Sequence, residues 1–202
     1  MIDPTVLLVF LPAALALNLM PGADMMFCAA QAMSQGQRAA WRASAGIALG
    51  GMLHGLAAGL GLAAIMAAQP LLFDVIRWVG VAYLLWLAWN ALIADPAAPS
   101  DARRAPRPFA EGLIVNLTNP KVILFVLAFM PQFIDPTQAI LPQFLIFSAL
   151  LVTGGFVING LAGTLAGGVR QVIKGRAARW PARISAVVFA ALALRLILQE
   201  RP

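Results

Sequence analysis

Long apolar runs separated by short charged segments restrict this chain to folds that lie in a membrane. Six runs can be marked, at 4–33, 42–67, 70–93, 110–134, 139–168 and 182–198. Each reaches the roughly 17–25 residues that a membrane-crossing helix needs. Lipid offers no hydrogen bonds to the backbone, so every peptide group must be bonded within the protein. We therefore predict an all-α membrane protein with six transmembrane helices.

The composition agrees with a membrane location. Only 11% of the residues are charged and the mean hydropathy is +0.86, whereas a soluble domain carries roughly 25% charged residues. The net charge of +6 does not indicate nucleic-acid binding, because the basic residues form short clusters without interleaved aromatic side chains. The single cysteine, Cys28, cannot form an internal disulfide and is interpreted as a small core residue.

The loop charges predict the orientation. Ten of the fourteen Lys and Arg residues lie in three alternate loops: Arg38, Arg42, Arg103, Arg104, Arg107, Arg170, Lys174, Arg176, Arg179 and Arg183. Cytoplasmic loops are enriched in Lys and Arg, so these three loops are predicted to be cytoplasmic. Both termini then lie on the outer side of the plasma (inner) membrane. The acidic start of the chain lacks the basic segment of a signal peptide, so the first run is expected to be retained as a helix.

The first and fourth runs are interrupted by proline. Met20-Pro21-Gly22 breaks one and Asn119-Pro120-Lys121 breaks the other, and Asn-Leu precedes each break. Proline lacks the backbone donor that would continue the helix, so both helices should be broken. Three spans per half make the second half enter the membrane in the opposite direction. We predict two inverted-topology three-helix repeats, 1–94 and 110–202, joined by a basic cytoplasmic linker, 95–109.

Paired, interrupted helices at corresponding positions of two halves are typical of the binding site of a secondary transporter. A new helix N-terminus presents unpaired N–H groups and a partial positive charge, while freed carbonyls accept hydrogen bonds. The carboxylate of an amino acid suits the free N–H groups, and its ammonium group suits the free carbonyls. The breaks at Pro21 and Pro120 are therefore the predicted site.

The chain resembles the LysE/RhtB family of amino-acid exporters. The resemblance rests on segments 17–24, 46–50, 83–89, 112–121 and 129–133, which follow the family's order and spacing over nearly the whole chain. It implies export of an amino acid or derivative from the cytoplasm, driven by protons. Ala23 stands where the family commonly has a second proline. Members handle lysine, threonine, homoserine, leucine or cysteine-pathway compounds, and no residue here selects one.

Asp24 and Lys121 are the charged residues placed beside the breaks. A buried charge in a membrane is costly and marks a functional hypothesis. Asp24 is a candidate for substrate binding and for proton coupling, and Lys121 for receiving the substrate carboxylate. The alternatives are a helix-start acid for Asp24 and a structural ion pair for the two residues. We predict that Asp24 and Lys121 face each other across the repeat interface.

The remaining candidates are polar or shape the breaks. The predicted substrate-binding set also contains Asn18, Pro21, Gly22, Asn116, Asn119 and Pro120. The three asparagines are expected first to satisfy backbone groups freed by the prolines. His54 is a second candidate for proton coupling, because histidine titrates near neutral pH; a structural hydrogen bond is the alternative. The side chains of Gln31, Thr118 and Asn159 are further candidates for lining the path.

Other functional classes fit the sequence less well. One histidine and one cysteine do not make a usual metal site, and no nucleophile elbow or phosphate-binding loop occurs. We expect no enzyme activity, metal or cofactor; the expected partners are the amino acid, protons and the lipid bilayer. An oligomeric passive channel for small polar solutes is the main alternative, since a homo-oligomer is left open. A structural or sensory membrane component is the other alternative.

Overall fold

The computed structural model describes residues 4–68 and 106–168, together with single positions within 78–93 and 183–194. Every element in the described residues is helical, and no strand occurs among them. Three helices precede the gap: α1 (Pro4–Leu19), α2 (Ala23–Gln35) and α3 (Gln37–Ala68). After it come α4 (Pro108–Leu117), α5 (Pro120–Leu124), a π-helical turn (Phe125–Phe129), a 3-10 turn (Met130–Phe133) and α6 (Ile140–Gly168). The predicted all-α class is confirmed for this part of the chain.

The described helices include candidates for four membrane crossings. Gln37–Gly61 and Ile140–Ala166 are each long and apolar enough to cross alone. Two bent pairs qualify when each is taken as one span, with bends of 48° between α1 and α2 and 50° between α4 and the Pro120–Phe133 segment. The predicted runs 70–93 and 182–198 lie mostly outside the described residues, as does most of the 95–109 linker. The single positions described within the two runs are helical.

The outward faces of the helices are apolar. Leu8 is 74% exposed on α1, Leu60 56% on α3 and Leu161 48% on α6. Soluble proteins rarely carry large exposed apolar patches, whereas a lipid-facing helix requires them. The chain is a membrane protein, and its exposed leucines are typical of helices that face lipid.

Each helix break follows directly from its proline. α1 ends at Leu19 and α2 begins at Ala23, two residues after Pro21. α4 ends at Leu117, and Pro120 is the first residue of α5, where its missing N–H removes no intrahelical bond. Both broken helices therefore occur where the sequence predicts them.

The second half of the fourth run differs from the regular half-helix that the sequence suggests. After one turn of α5 the backbone widens into a π-helical turn and then tightens into a 3-10 turn. Pro131 lies in this 3-10 turn and cannot donate to the carbonyl of Leu127, which interrupts the regular bonding register. Pro131 thus provides a physical reason for the irregular turns in this segment.

A cluster of phenylalanines fills the bundle on one side of the breaks. The Phe10 ring centroid lies 4.7 Å from that of Phe147 and 5.3 Å from that of Phe133. The rings of Phe125 and Phe129 lie 4.8 Å apart, and Phe129 lies 4.9 Å from Phe133. All five rings are buried. Tilted and edge-on aromatic pairs add to the energy of burial. This cluster fixes α1 against α6 and the π-helical turn.

Glycines bring α3 and α4 into backbone contact. A Cβ placed on Gly46 would collide with the carbonyl of Phe109, and one on Gly112 with the carbonyl of Ala43. Small residues allow membrane helices to approach this closely, and the gain is van der Waals packing. The crossing holds α4, which leads into the second break, against α3.

Gly46→Ala should therefore destabilise the protein. The added methyl requires the two backbones to separate, and overpacking of this kind typically costs about 1–3 kcal/mol. Thermal unfolding of the purified protein in detergent should show a clearly lower midpoint. Gly61→Ala is the matched control on the same helix, because a Cβ there meets nothing within 4 Å. Equal midpoints for the two variants would contradict the close crossing.

Candidate functional site

A small cleft lies between the two helix breaks and receives residues from all six described helices. Its empty space is about 330 Å³, including its open mouth. The lining consists of Leu17, Asn18, Asp24, Ile47, Ala48, Gly51, Asn116, Val122, Leu151, Val152, Gly155, Phe156 and Asn159. The wall is thus mainly apolar, with one carboxylate and three amides.

Asp24 connects the first break to the second. It lies in the first turn of α2, where the helix dipole favours a negative charge, and is only 6% exposed. The side-chain amide of Asn116, in the last turn of α4, donates to Asp24 Oδ2 at 2.9 Å. A carboxylate that starts one half-helix is therefore held by the residue that ends another.

Lys121 makes the reciprocal contact. Its Nζ donates to the carbonyls of Leu17 and Met20, each at 3.0 Å. In a continuous helix the carbonyl of Leu17 would accept from residue 21, but Pro21 has no N–H. Gly22 leaves space for the ammonium group, since a Cβ there would lie 3.1 Å from Nζ. The cation from the second break thus satisfies a carbonyl freed at the first.

The second break is satisfied by Asn119 and His54. Asn119 Oδ1 caps α5 by accepting from the backbone N–H of Lys121 at 3.0 Å. His54 Nε2 lies 3.2 Å from the carbonyl oxygen of Asn116, which cannot receive a bond from Pro120. A carbonyl only accepts, so His54 donates from Nε2. Asn119 therefore has the backbone-capping role expected of it, and the only histidine also serves the broken helix.

Asn18 and Asn116 differ from the expectation that they satisfy freed backbone groups. Asn18 Nδ2 donates to the carbonyl of Leu151 in α6 at 3.0 Å, a group of an unbroken helix. Asn116 gives its side-chain N–H to Asp24. The two amides therefore connect helices, because the carbonyls at the breaks are already occupied by the longer Lys121 and His54.

Three buried polar atoms at the site lack a hydrogen-bond partner among the described residues. They are Asp24 Oδ1, Asn116 Oδ1 and Asn119 Nδ2. Leaving a buried acceptor or donor unsatisfied costs about 1–3 kcal/mol, more for a charged group. Two of these atoms are acceptors on residues that line the cleft. Asp24 and Asn116 thus each carry one unsatisfied acceptor at the wall of the cleft.

The predicted site residues separate into two groups. Asn18, Asp24 and Asn116 line the cleft. The others form the breaks beside it: Pro21, Gly22, Asn119, Pro120 and Lys121. Asp24 accepts from Asn116 and Lys121 donates to the carbonyls of Leu17 and Met20, so each charged residue bonds the opposite break.

Among the further candidates for the path, only Asn159 lines the cleft. Thr118 is exposed and donates to the carbonyl of Ile114, and Gln31 is bonded to the side chain of Gln35. The apolar lining residues Ile47, Val152 and Phe156 carry no chemical signature in the sequence. Their only signal is position in the glycine-rich helices α3 and α6. Ile47 follows Gly46, Phe156 follows Gly155, and Val152 lies two residues before Gly154. Among the described residues, no three His, Cys, Asp or Glu side chains are grouped as metal ligands would be.

The His54 contact can be tested separately from proton coupling. Gln places an amide N–H near the Nε2 position without a titrating group, whereas Leu removes the donor. His54→Gln should transport with an unchanged pH profile. His54→Leu should lose some stability, because the carbonyl of Asn116 then keeps only the backbone N–H of Asn119 as a donor. Transport rates from about pH 6 to 8, the range in which a histidine titrates, and detergent unfolding midpoints check both. A pH profile that flattens in His54→Gln would instead support the proton-coupling hypothesis.

Comparison with known proteins decides what kind of molecule carries this site. A family model described as LysE type translocator matches residues 15–200, which includes both breaks and every cleft residue. The chain belongs to this family. It is therefore a transporter rather than an enzyme, as the sequence resemblance predicted.

Individual relatives agree with the family assignment. The translocator is 35% identical over 156 residues to an uncharacterized membrane protein of Vibrio cholerae, covering 75% of this chain and 76% of the relative. It is 34% identical over 170 residues to a homoserine/homoserine lactone efflux protein of Salmonella typhimurium, covering 82% of each chain. No solved structure matches the translocator significantly.

Proposed function

We propose that this translocator exports an amino acid or amino-acid derivative from the cytoplasm in exchange for protons. One observation supports this most directly: each helix break supplies the charged residue that bonds the other, through Asp24 to Asn116 and Lys121 to the Leu17 carbonyl. A site built across two breaks changes shape when the two halves move. Such movement around a central site is the basis of alternating access.

The proposed architecture is six helices in two inverted repeats, with both termini on the outer side of the inner membrane. The nearly equal bends of 48° and 50° at the two breaks support an inverted pair. In this orientation the phenylalanine cluster around Phe10 and Phe133 lies between the cleft and the outer surface. Outward release of substrate then requires these rings to separate.

Asp24 is the proposed coupling residue. Its unsatisfied Oδ1 accepts either a proton or a substrate ammonium group, and the two exclude each other. Export of a zwitterion against one entering proton moves one positive charge inward. Each charge crossing 100 mV supplies about 2.3 kcal/mol, enough for roughly a fiftyfold concentration ratio.

The substrate is proposed to be an amino acid of about the size of homoserine. The named relative is a homoserine/homoserine lactone efflux protein, and the small, mainly apolar cleft suits a compact ligand. A long, doubly charged amino acid would leave its second charge beside apolar wall residues such as Val152 and Phe156.

Transport under an imposed pH gradient tests the proposal. Proteoliposomes that contain the purified translocator and labelled homoserine are diluted into buffer one pH unit more acidic than the lumen. We expect efflux several times faster than without the gradient, and collapse of the effect when an ionophore removes it. Efflux that ignores the gradient would contradict proton exchange, and vesicles that retain the label in every condition would contradict homoserine export. The orientation of the protein in the vesicles is fixed by selecting inside-out or right-side-out fractions.

A further inference from the structure

We infer that the cleft recognises its substrate through the ammonium group and not through the carboxylate. The substrate class is then compact primary amines whose carboxyl group is free, blocked or missing. Transport of such compounds rests on the proposed function, whereas their binding in the cleft can be tested without transport.

The charge of the cleft favours a cation. Among the described residues, Asp24 is the one charged residue in its lining, and only 6% of it is exposed. The nearest described cation, Lys121, is not a lining residue and donates its Nζ to the carbonyls of Leu17 and Met20. A carboxylate that entered the cleft would meet the charge of Asp24 at low dielectric, with no arginine or lysine among the described wall residues, which is unfavourable.

The hydrogen-bonding groups point in the same direction. Asp24 Oδ1 and Asn116 Oδ1 are buried acceptors without a donor among the described residues. In two of the three described lining amides one of the two side-chain N–H groups is already used, since Asn116 donates to Asp24 and Asn18 to Leu151, which leaves fewer donors for a carboxylate. An ammonium group has three donors and no acceptor. It therefore matches what this cleft leaves unsatisfied.

The rest of the lining determines the size and polarity of the substrate portion attached to the ammonium group. Ile47, Val152 and Phe156 form an apolar wall, and Asn159 contributes one amide. A short carbon chain with a neutral polar end fits these walls. An ester, lactone or alcohol is such an end, because it avoids a second charge.

A matched series of ligands separates the two recognition groups. Homoserine carries both groups, 3-aminopropan-1-ol lacks the carboxylate, and 4-hydroxybutyrate lacks the ammonium. Unfolding of the purified protein in detergent is followed with each compound, and each is also tested as a competitor of labelled homoserine in proteoliposomes. We expect 3-aminopropan-1-ol to compete within about tenfold of homoserine and to raise the unfolding midpoint. The deaminated acid should be at least a hundredfold weaker in both assays.

Asp24→Asn identifies the responsible charge. The stabilisation by 3-aminopropan-1-ol should disappear in this variant and persist in Asp135→Asn, which makes the same change in an exposed loop outside the cleft. Competition by 4-hydroxybutyrate as strong as that of homoserine would overturn the inference, as would failure of every amine to bind. Binding of amines without transport would overturn the proposed function and leave the inference standing.

Discussion

Asp24→Asn is expected to reduce transport at least a hundredfold while leaving the protein folded in the membrane. The neutral side chain retains the shape and one oxygen that Asn116 can bond, so packing is preserved. The substitution removes the negative charge that is proposed to attract an ammonium group, and with it the proposed site of the coupling proton. Initial rates of labelled homoserine efflux from proteoliposomes, normalised to inserted protein, measure the effect.

Asp135→Asn is the control for this prediction. Asp135 lies in the loop before α6, where its carboxylate accepts from the backbone and hydroxyl of Thr137. These bonds and one from Gln138 lower the pKa of Asp135, and the residue is not among those that line the cleft. Its variant should transport at the normal rate. Full activity in Asp24→Asn would refute the role assigned to that residue.

Lys121→Met should be the most destabilising substitution at the site. Methionine has a similar length but no donors, so the carbonyls of Leu17 and Met20 lose their charge-assisted bonds. Each loss costs about 1–3 kcal/mol, and Asp24 is left without its nearby opposite charge. At about 2–4 °C per kcal/mol, the unfolding midpoint should fall by roughly 10 °C, and transport should be lost. Arg38→Met, on the exposed face of α3, should change neither.

The coupling between the two charges can be measured with a double variant. If Asp24 and Lys121 balance each other, Asp24→Asn should partly rescue the stability of Lys121→Met, because the buried carboxylate is no longer uncompensated. Additive losses would mean that Lys121 acts only as a cap for the two carbonyls.

The sequence predicts the helix breaks and the charged candidates because local chemistry decides them. Proline lacks an N–H wherever it stands, so Pro21 and Pro120 end regular helix in any tertiary context. The glycines of α3 and α6 likewise predict close approach. Together with the long apolar runs, these residues identify a membrane protein with broken helices from the sequence alone.

The partners across the site could not be predicted in the same way. The bond from Asn116 to Asp24 and the bonds from Lys121 to Leu17 and Met20 join residues 92 to 104 positions apart. The side chains that meet across the site depend on how the helices pack, for example on the contact of Gly46 in α3 with Phe109 in α4. The apolar lining residues Val152 and Phe156 have no distinguishing side chain, and only the folded arrangement places them in the cleft.

Counterflow tests most sharply whether the two breaks form one alternating-access site. Proteoliposomes loaded with a high concentration of unlabelled homoserine are diluted into trace labelled homoserine. We expect a transient accumulation of label above its equilibrium level, which saturates with the internal homoserine concentration and is absent in Asp24→Asn. A channel would let the label equilibrate without an overshoot, at the same rate into loaded and empty vesicles, and that result would exclude an alternating-access site.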